Sequence, residues 1–213
     1  MVGVPGTLGG AVRMNAGGHG SDMATSVVDV EVIDVVSGHT AWIPASDVGF
    51  RFRHSSLDDM HLVSRVRIAL HASSSASHDC NEEISEIVSW RREHQPGGQN
   101  AGSVFVNPAE GDGSAGALID SLGFRGWRHG SAVVSERHAN FIQSDQGGSA
   151  DDVIAVMRHV QARVYEEAGI VLRSEIKLLG FADDDVWQFS RRDSYALDDD
   201  DANQARARLL RHL

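Results

Sequence analysis

The chain has 213 residues, of which 41% are hydrophobic, enough to form the core of one ordinary domain or of two small ones. Its 30 acidic and 19 basic residues give a net charge of −11, which argues against a sequence-independent nucleic-acid binder, because such a protein needs a basic face. A single cysteine excludes a disulfide framework, and the lack of a signal-peptide pattern or of an apolar run of about 20 residues predicts a cytoplasmic protein with no membrane partner.

Glycine is concentrated at the start of the chain, where residues 3–10 and 15–20 form two glycine-rich stretches. Backbone N–H groups in such loops approach a phosphate or a flavin closely, because glycine has no Cβ. The spacing matches neither the G-x-G-x-x-G fingerprint nor a P-loop, so a plain surface turn remains an alternative interpretation.

Three strands are predicted next. Residues 27–36 alternate apolar and acidic side chains, which predicts a half-buried strand with Val28, Val30 and Val32 on its buried face. A Ser-Gly pair after it predicts a hairpin and a return strand over residues 40–43. Residues 62–70 alternate again and predict a third strand with exposed arginines.

Helices dominate the second half of the chain. We predict helices over residues 82–94, with Asn81 as N-cap, over 115–122, and over 150–168, where Ser149 and Asp152 resemble a capping box. Residues 170–179 are predicted to form a strand. The order of strands first, then mixed helices and strands, favours an α+β fold over a doubly wound parallel sheet.

The last 33 residues differ in composition from the rest, with two runs of aspartate followed by an arginine-containing end over residues 203–213. This pattern predicts a solvated tail with a terminal amphipathic helix.

Three segments carry side chains suited to chemistry. Arg51 and Arg53 point the same way in an extended segment and could clamp a carboxylate, although this segment alone favours a solvated strand edge. Ser103, in a loop shaped by proline and glycine, could donate a proton, or it could be an ordinary turn serine. Glu175 lies on the polar face of the predicted last strand. The 11 histidines form no cluster, so we expect no metal site.

Taken together, these segments resemble the UDP-N-acetylenolpyruvoylglucosamine reductases, also called UDP-N-acetylmuramate dehydrogenases. The matching stretches occur in the family's order and are residues 3–11, 14–17, 52–55, 95–96, 101–105, 107–108, 116–119, 134–135, 138–142, 169–170 and 175–176. Each stretch is weak alone, but the ordered set is specific and covers all of the chain except the tail.

The resemblance implies a cytoplasmic flavoenzyme of peptidoglycan precursor synthesis, and hence of cell-wall biogenesis, cell shape and cell division. NADPH would reduce FAD, which would then reduce the enolpyruvyl group of the UDP-sugar to give UDP-N-acetylmuramate. The implied architecture is the remainder of a two-subdomain FAD-binding domain over residues 1–72, an α/β substrate-binding domain over 73–180 and a tail over 181–213. The UDP-sugar would be the partner, and the oligomeric state is open.

The resemblance also implies roles for individual residues. Ser103 would protonate the carbon next to the substrate carboxylate, while Arg53 and Glu175 would stabilise the enol-like intermediate. Asn107 and Arg128 would contact polar groups of the substrate. The residues that would contact FAD are Val4, Pro5, Gly6, Thr7, Gly9, Gly10, Asn15, Ala16 and Gly17.

The sequence departs from the family in three places. Family members carry a further FAD-binding half-domain before the first glycine loop, so we expect this chain to lack part of that domain. Val106 stands where lysine is usual, and Phe52 stands where tyrosine is usual. Two alternatives therefore remain beside the reductase: a UDP-sugar-binding remnant that has lost FAD, and another flavin oxidoreductase of the same fold.

Overall fold

The computed structural model describes residues 4, 6–70, 80–108, 113–181 and 199–213. The chain divides into two compact units, the first comprising Met1–Val88 with Ala196–Leu213 and the second comprising Ser89–Tyr195. The tail residues thus group with the first unit, and the division falls later in the chain than the expected boundary after residue 72. Within the described ranges, no helix is both long and apolar enough to cross a membrane.

Five helices and nine strands are described, and they make an α+β fold, as predicted. In chain order they are α1 (Leu8–Arg13), β1 (Gly17–Gly18), β2 (Ser21–Asp22), β3 (Val27–Asp34), β4 (Thr40–Pro44), β5 (His61–Ile68), α2 (Cys80–His94), β6 (Gln99–Ser103), α3 (Ala115–Ser121), β7 (Arg128–His129), β8 (Ala132–Val134), β9 (Phe141–Ser144), α4 (Ala150–Ala168) and α5 (Asp199–Leu210).

The first unit contains an antiparallel sheet of order β4-β3-β5 and a small β1-β2 hairpin. All three predicted strands are confirmed, but the burial of β3 differs from the prediction at one position. Val28 is 50% exposed, and Val27 is buried instead. The register against β5 shifts between Val27 and Asp29, so a β-bulge displaces one residue from the strict alternation that the prediction assumed.

The tail of the chain completes the core of this unit. The predicted terminal helix is present as α5, and its Leu209 is fully buried, so this part of the tail is not solvated on every side. Residues 199–213 contain only three leucines, all at the C-terminal end, which gives too little periodicity to indicate the surface that they pack against. The core comprises Val12, Met23, Val27, Val30, Val32, Ile43, Val48, Leu57 and Leu209.

Replacing Leu209 with alanine is expected to destabilise the first unit by about 2–4 kcal/mol, because the substitution leaves a cavity in a packed core. Urea denaturation followed by circular dichroism measures the change. Leu210→Ala is the matched control, since Leu210 is 49% exposed and its loss should cost less than about 0.5 kcal/mol. Equal effects of the two substitutions would mean that α5 is not docked through Leu209.

The second unit is built on an antiparallel sheet of order β6-β9-β8-β7, against which α4 packs. Helix α4 has the predicted bounds and ends at Gly169, whose φ of +70° lies in the left-handed region. Ser149 caps it by accepting from the N–H of Asp151. The capping-box prediction is wrong for Asp152, whose carboxylate accepts hydrogen bonds from the backbone and hydroxyl of Ser131 instead. These bonds lower the pKa of Asp152.

Two other local predictions need correction. Helix α2 begins at Cys80, so Asn81 lies inside the helix and is not its N-cap. Residues 170–179 form no regular strand; among the described residues, their only ladder contact is an isolated bridge between Ser174 and Phe105. The predicted apolar face is nevertheless correct, because Leu172 is buried and Ile170, Ile176 and Leu178 pack against the same core.

Candidate functional site

The first glycine-rich stretch borders a cavity of about 520 Å³ at the start of α1. Of the nine residues expected to contact FAD, five line it, namely Val4, Gly6, Thr7, Gly10 and Ala16. Pro5 lies outside the described residues. The Thr7 hydroxyl accepts a hydrogen bond from the N–H of Gly10, which caps α1. The lining is mostly small and apolar, which is typical of small-molecule sites.

The other expected FAD contacts have roles inside the protein. A Cβ on Gly17 would approach the carbonyl oxygen of Ser21 to 2.5 Å, so the β1-β2 hairpin requires glycine there. A Cβ on Gly9 would lie 3.2 Å from the carbonyl oxygen of Val63, so α1 packs closely on β5 at this point. These two glycines are explained by chain packing alone.

Arg53 lies in a tight turn whose ends, Arg51 and His54, exchange backbone hydrogen bonds. Its φ of +50° is unusual for a residue with a side chain. The guanidinium donates to the carbonyl oxygen of Gly17 at 2.8 Å and lies over the exposed ring of Phe52. Arg51 and Arg53 therefore do not share one face of an extended segment, as the sequence suggested, because the chain turns between them.

Two buried side chains hold this turn in place. Asn15 donates to the carbonyl oxygen of Arg51 at 2.9 Å and accepts from the N–H of Ala24. Ser55 donates to the carbonyl oxygen of Arg13 at 2.7 Å. Both side chains are 2% exposed, so their contribution is to fix the turn that carries Arg53.

In the second unit, Ser103 ends β6, where its register partner is Phe141. The register shifts between Asn100 and Ser103, and Gly102 has a φ of +84°, so a bulge directs the serine away from the regular alternation. Ser103 is half-buried, and its hydroxyl has no hydrogen-bond partner within the described parts of the chain. The hydroxyl is therefore available to a ligand.

The structure brings Ser103 and Glu175 onto adjacent segments. The N–H of Glu175 donates to the carbonyl oxygen of Val104 at 2.8 Å, and the N–H of Val106 donates to the carbonyl oxygen of Arg173 at 2.9 Å. Glu175 thus lies beside the residue that follows Ser103, and it is half-buried.

Asn140, which the sequence analysis did not single out, fixes the segment after Ser103 from the opposite side. Its side-chain amide accepts from the N–H of Phe105 at 2.9 Å and donates to the carbonyl oxygen of Phe105 at 2.8 Å. The backbone carbonyl oxygen of Asn140 accepts a further hydrogen bond, from the N–H of Val104 at 2.9 Å. The sequence did contain one sign of this role, a polar amide within the mostly apolar run 139–142. A buried amide must be hydrogen-bonded, so such a residue is expected to hold a neighbouring segment.

His138 lies two residues before Asn140, and its Nδ1 accepts a hydrogen bond from the N–H of Asn140 at 3.2 Å. Partial burial, together with the charge of Arg125, lowers the pKa of His138 below its ordinary value. An unprotonated Nδ1 is the form that accepts this bond.

The lowered pKa of His138 predicts that the second unit loses stability as the pH falls below about 6.5. In that range the unfolded chain binds a proton at this histidine while the folded chain does not, so unfolding is favoured. Urea midpoints at pH 7.5 and 5.5 measure the loss. His138→Gln should reduce the difference between the two midpoints, and an unchanged difference would exclude His138 as its source.

The two expected substrate contacts have partners within the protein. Asn107 Oδ1 accepts from the N–H of Ala115 at the start of α3, at 3.0 Å. Arg128, on β7, forms an ion pair with Asp145 at 2.7 Å. Neither arrangement tests a role in substrate binding. Over the described residues, no group of three or more metal-ligating side chains is placed to hold a metal ion.

Comparison with known proteins gives one consistent result. A sequence model described as UDP-N-acetylenolpyruvoylglucosamine reductase, C-terminal domain, matches residues 94–179. The chain is 41% identical over 179 residues to the UDP-N-acetylenolpyruvoylglucosamine reductase of Heliobacterium modesticaldum, covering 84% of this chain and 56% of the relative. The reductase of Gloeobacter violaceus is 38% identical over 186 residues, covering 84% of this chain and 60% of the relative.

A solved structure agrees with these relatives. The crystal structure of the UDP-N-acetylenolpyruvylglucosamine reductase from Thermus caldophilus superposes with a TM-score of 0.68 at 36% identity, covering 83% of this chain and 61% of that protein. The chain thus spans somewhat more than half the length of these relatives.

Proposed function

The chain belongs to the UDP-N-acetylenolpyruvoylglucosamine reductase family, and from this premise we propose that it acts in the NADPH-dependent, flavin-dependent reduction of UDP-N-acetylglucosamine enolpyruvate to UDP-N-acetylmuramate. The reaction is a step of peptidoglycan precursor synthesis. Because the chain spans somewhat more than half of its relatives, its activity, cofactors, substrate and cytoplasmic location are parts of the proposal.

One observation carries the proposal: a partner-free serine hydroxyl lies at a bulge beside a segment that carries a glutamate. Reduction of a carbon–carbon double bond next to a carboxylate requires a proton donor at the carbon that becomes electron-rich. Ser103 and Glu175 are of the right chemical types and lie on hydrogen-bonded segments. The bulge at Gly102 supports a functional position for Ser103, since bulges re-aim side chains next to active sites.

The cavity beside the first glycine stretch suits FAD. Its lining of small and apolar residues leaves room for a flat ring system, and its volume of about 520 Å³ is in the range of small-molecule sites. Gly6 has no heavy atom within 4 Å of the place where a Cβ would stand, so the backbone there is open to a ligand. The chemistry that a bound FAD supplies is transfer of hydride from NADPH to the enolpyruvyl double bond.

The protein's own residues would stabilise the charge that develops on the substrate and supply the proton. As negative charge develops on the substrate carboxylate, Arg53 would stabilise it through charge-assisted hydrogen bonds. Ser103 would donate its hydroxyl proton to the carbon next to that carboxylate. Glu175 would share a proton with the carboxylate oxygens and so stabilise the enol-like intermediate.

Titration calorimetry tests the proposal on the chain itself, with FAD and the UDP-sugar added separately. The reductase proposal expects both to bind. It also expects that a chain extended at its N-terminus to the length of the relatives shows flavin absorbance and substrate-dependent NADPH oxidation. An extended chain with neither property would exclude the proposal.

A second candidate is a UDP-sugar-binding remnant that has lost FAD. It is supported by Val106, which provides no charge where the resemblance leads us to expect a lysine. Binding of the UDP-sugar without binding of FAD would support the remnant over the reductase.

A further inference from the structure

The first unit has another cavity of about 520 Å³, which shares no lining residue with the cavity beside the first glycine stretch. Its polar lining comes from Ser46, Arg51 and Arg208, and Phe50 adds an aromatic side chain. The remaining lining residues are alanines and a glycine, and none of the lining residues is acidic. We call this space the Arg51–Arg208 cavity.

The two arginines differ from most arginines of the chain. Arg13, Arg125 and Arg163, for example, form ion pairs with carboxylates. Among the described residues, neither Arg51 nor Arg208 has a side-chain partner. In a chain with a net charge of −11, two unpaired guanidinium groups on one cavity without an acidic residue are a local concentration of positive charge.

The fold fixes the backbone at both arginines. The backbone of Arg51 is fixed by the amide of Asn15 and by its bridge to His54. Arg208 precedes Leu209, which is fully buried in the core of the unit.

Two carboxylates of the first unit have cationic partners at the C-terminal end of the chain. Arg206 pairs with Asp58 at 3.0 Å, and His212 pairs with Asp47 at 2.8 Å. A hydrogen bond from His212 lowers the pKa of Asp47. These pairs hold the C-terminal end of the chain on the first unit, and Arg208, which is exposed, lines the cavity.

We propose that the Arg51–Arg208 cavity binds the phosphate group of a small phosphate monoester. Planar guanidinium groups match phosphate oxygens bidentately. The Ser46 hydroxyl donates to Asp47 at 3.3 Å, so the two arginines carry the recognition of the phosphate. A volume of about 520 Å³ exceeds the needs of phosphate alone, so the rest of the ligand lies in the cavity beside Phe50. Because Arg208 belongs to α5, the ligand also stabilises docking of the tail helix.

Calorimetric titration of the 213-residue chain with inorganic phosphate and with AMP tests the proposal. We expect both to bind, AMP more tightly, with affinity falling as salt is raised. Arg51→Gln and Arg208→Gln should each weaken binding about tenfold or more, and AMP should raise the Tm of the wild type more than that of either variant.

Arg163→Gln is the matched control, because it removes the same charge from a helix of the second unit and should leave binding unchanged. Absence of phosphate and AMP binding at millimolar concentration would overturn the proposal. So would equal weakening by all three substitutions, or binding that neither cavity variant affects. FAD titration of the cavity variants separates this site from the proposed flavin site, since FAD binding should persist when AMP binding is lost.

Discussion

Ser103→Ala is expected to leave reduction of the flavin by NADPH intact and to slow its reoxidation by the enolpyruvyl substrate by about 10²–10⁴-fold. The serine hydroxyl is the proposed donor to the substrate carbon, whereas reduction by NADPH requires no proton from it. Its position at the end of β6 is set by a bulge and by backbone hydrogen bonds, so loss of the hydroxyl should not disturb the strand. Stopped-flow absorbance of the FAD-loaded, N-terminally extended chain separates the two half-reactions.

Ser121→Ala is the control for this experiment. Ser121 is an exposed serine on α3 whose hydroxyl donates only to the carbonyl oxygen of Leu118. Its replacement should change neither half-reaction. If Ser103→Ala slowed both half-reactions equally, Ser103 would be a structural residue and the proton would have to come from another group.

Asn140→Ala is expected to destabilise the second unit by about 3–5 kcal/mol. The side chain satisfies both the N–H and the carbonyl oxygen of Phe105, a residue that is 1% exposed. Its removal leaves two buried backbone groups without partners, at a cost of about 1–3 kcal/mol each, in addition to the lost packing. Urea denaturation followed by circular dichroism measures the effect.

Asn100→Ala is the matched control, because Asn100 is a half-buried asparagine on the paired strand β6. Its side-chain N–H bonds are long, at 3.3–3.5 Å, and only its bond from the N–H of Gly102 is short. We expect a loss of about 1 kcal/mol there. Similar losses of stability for the two variants would show that the two hydrogen bonds between Asn140 and Phe105 do not hold the segment after Ser103 more strongly than ordinary side-chain bonds do.

Local patterns predicted most of the elements because their causes are local. The bounds of α4 follow from an apolar stripe, an N-capping serine and a terminal glycine, and the structure has the same bounds. The first-unit strands follow from alternation. The prediction was wrong where a distant partner intervened: Ser131 binds the carboxylate of Asp152, and the bulge against β5 exposes Val28.

For the candidate site as well, the sequence and the tertiary structure supplied different information. The local sequence allowed a chemical role for Arg53 and Ser103, but only the ordered resemblance favoured such roles over ordinary surface ones, because each residue type alone is common on protein surfaces. The structure adds that Glu175 lies beside the strand end of Ser103 and that Asn140 holds the intervening backbone. Such pairings join residues far apart in the chain, and no local pattern encodes them.

The ordered resemblance indicated the family and predicts the residues of the candidate site. Local sequence patterns by themselves determined the fold class and most helices and strands, because hydrophobic periodicity, capping and turn residues act over a few positions. Only the tertiary structure decided that the acidic tail returns to bury Leu209 in the first unit and to place Arg208 beside Arg51. The free energy of that contact comes from apolar surface and charges brought together across most of the chain, which local sequence cannot specify.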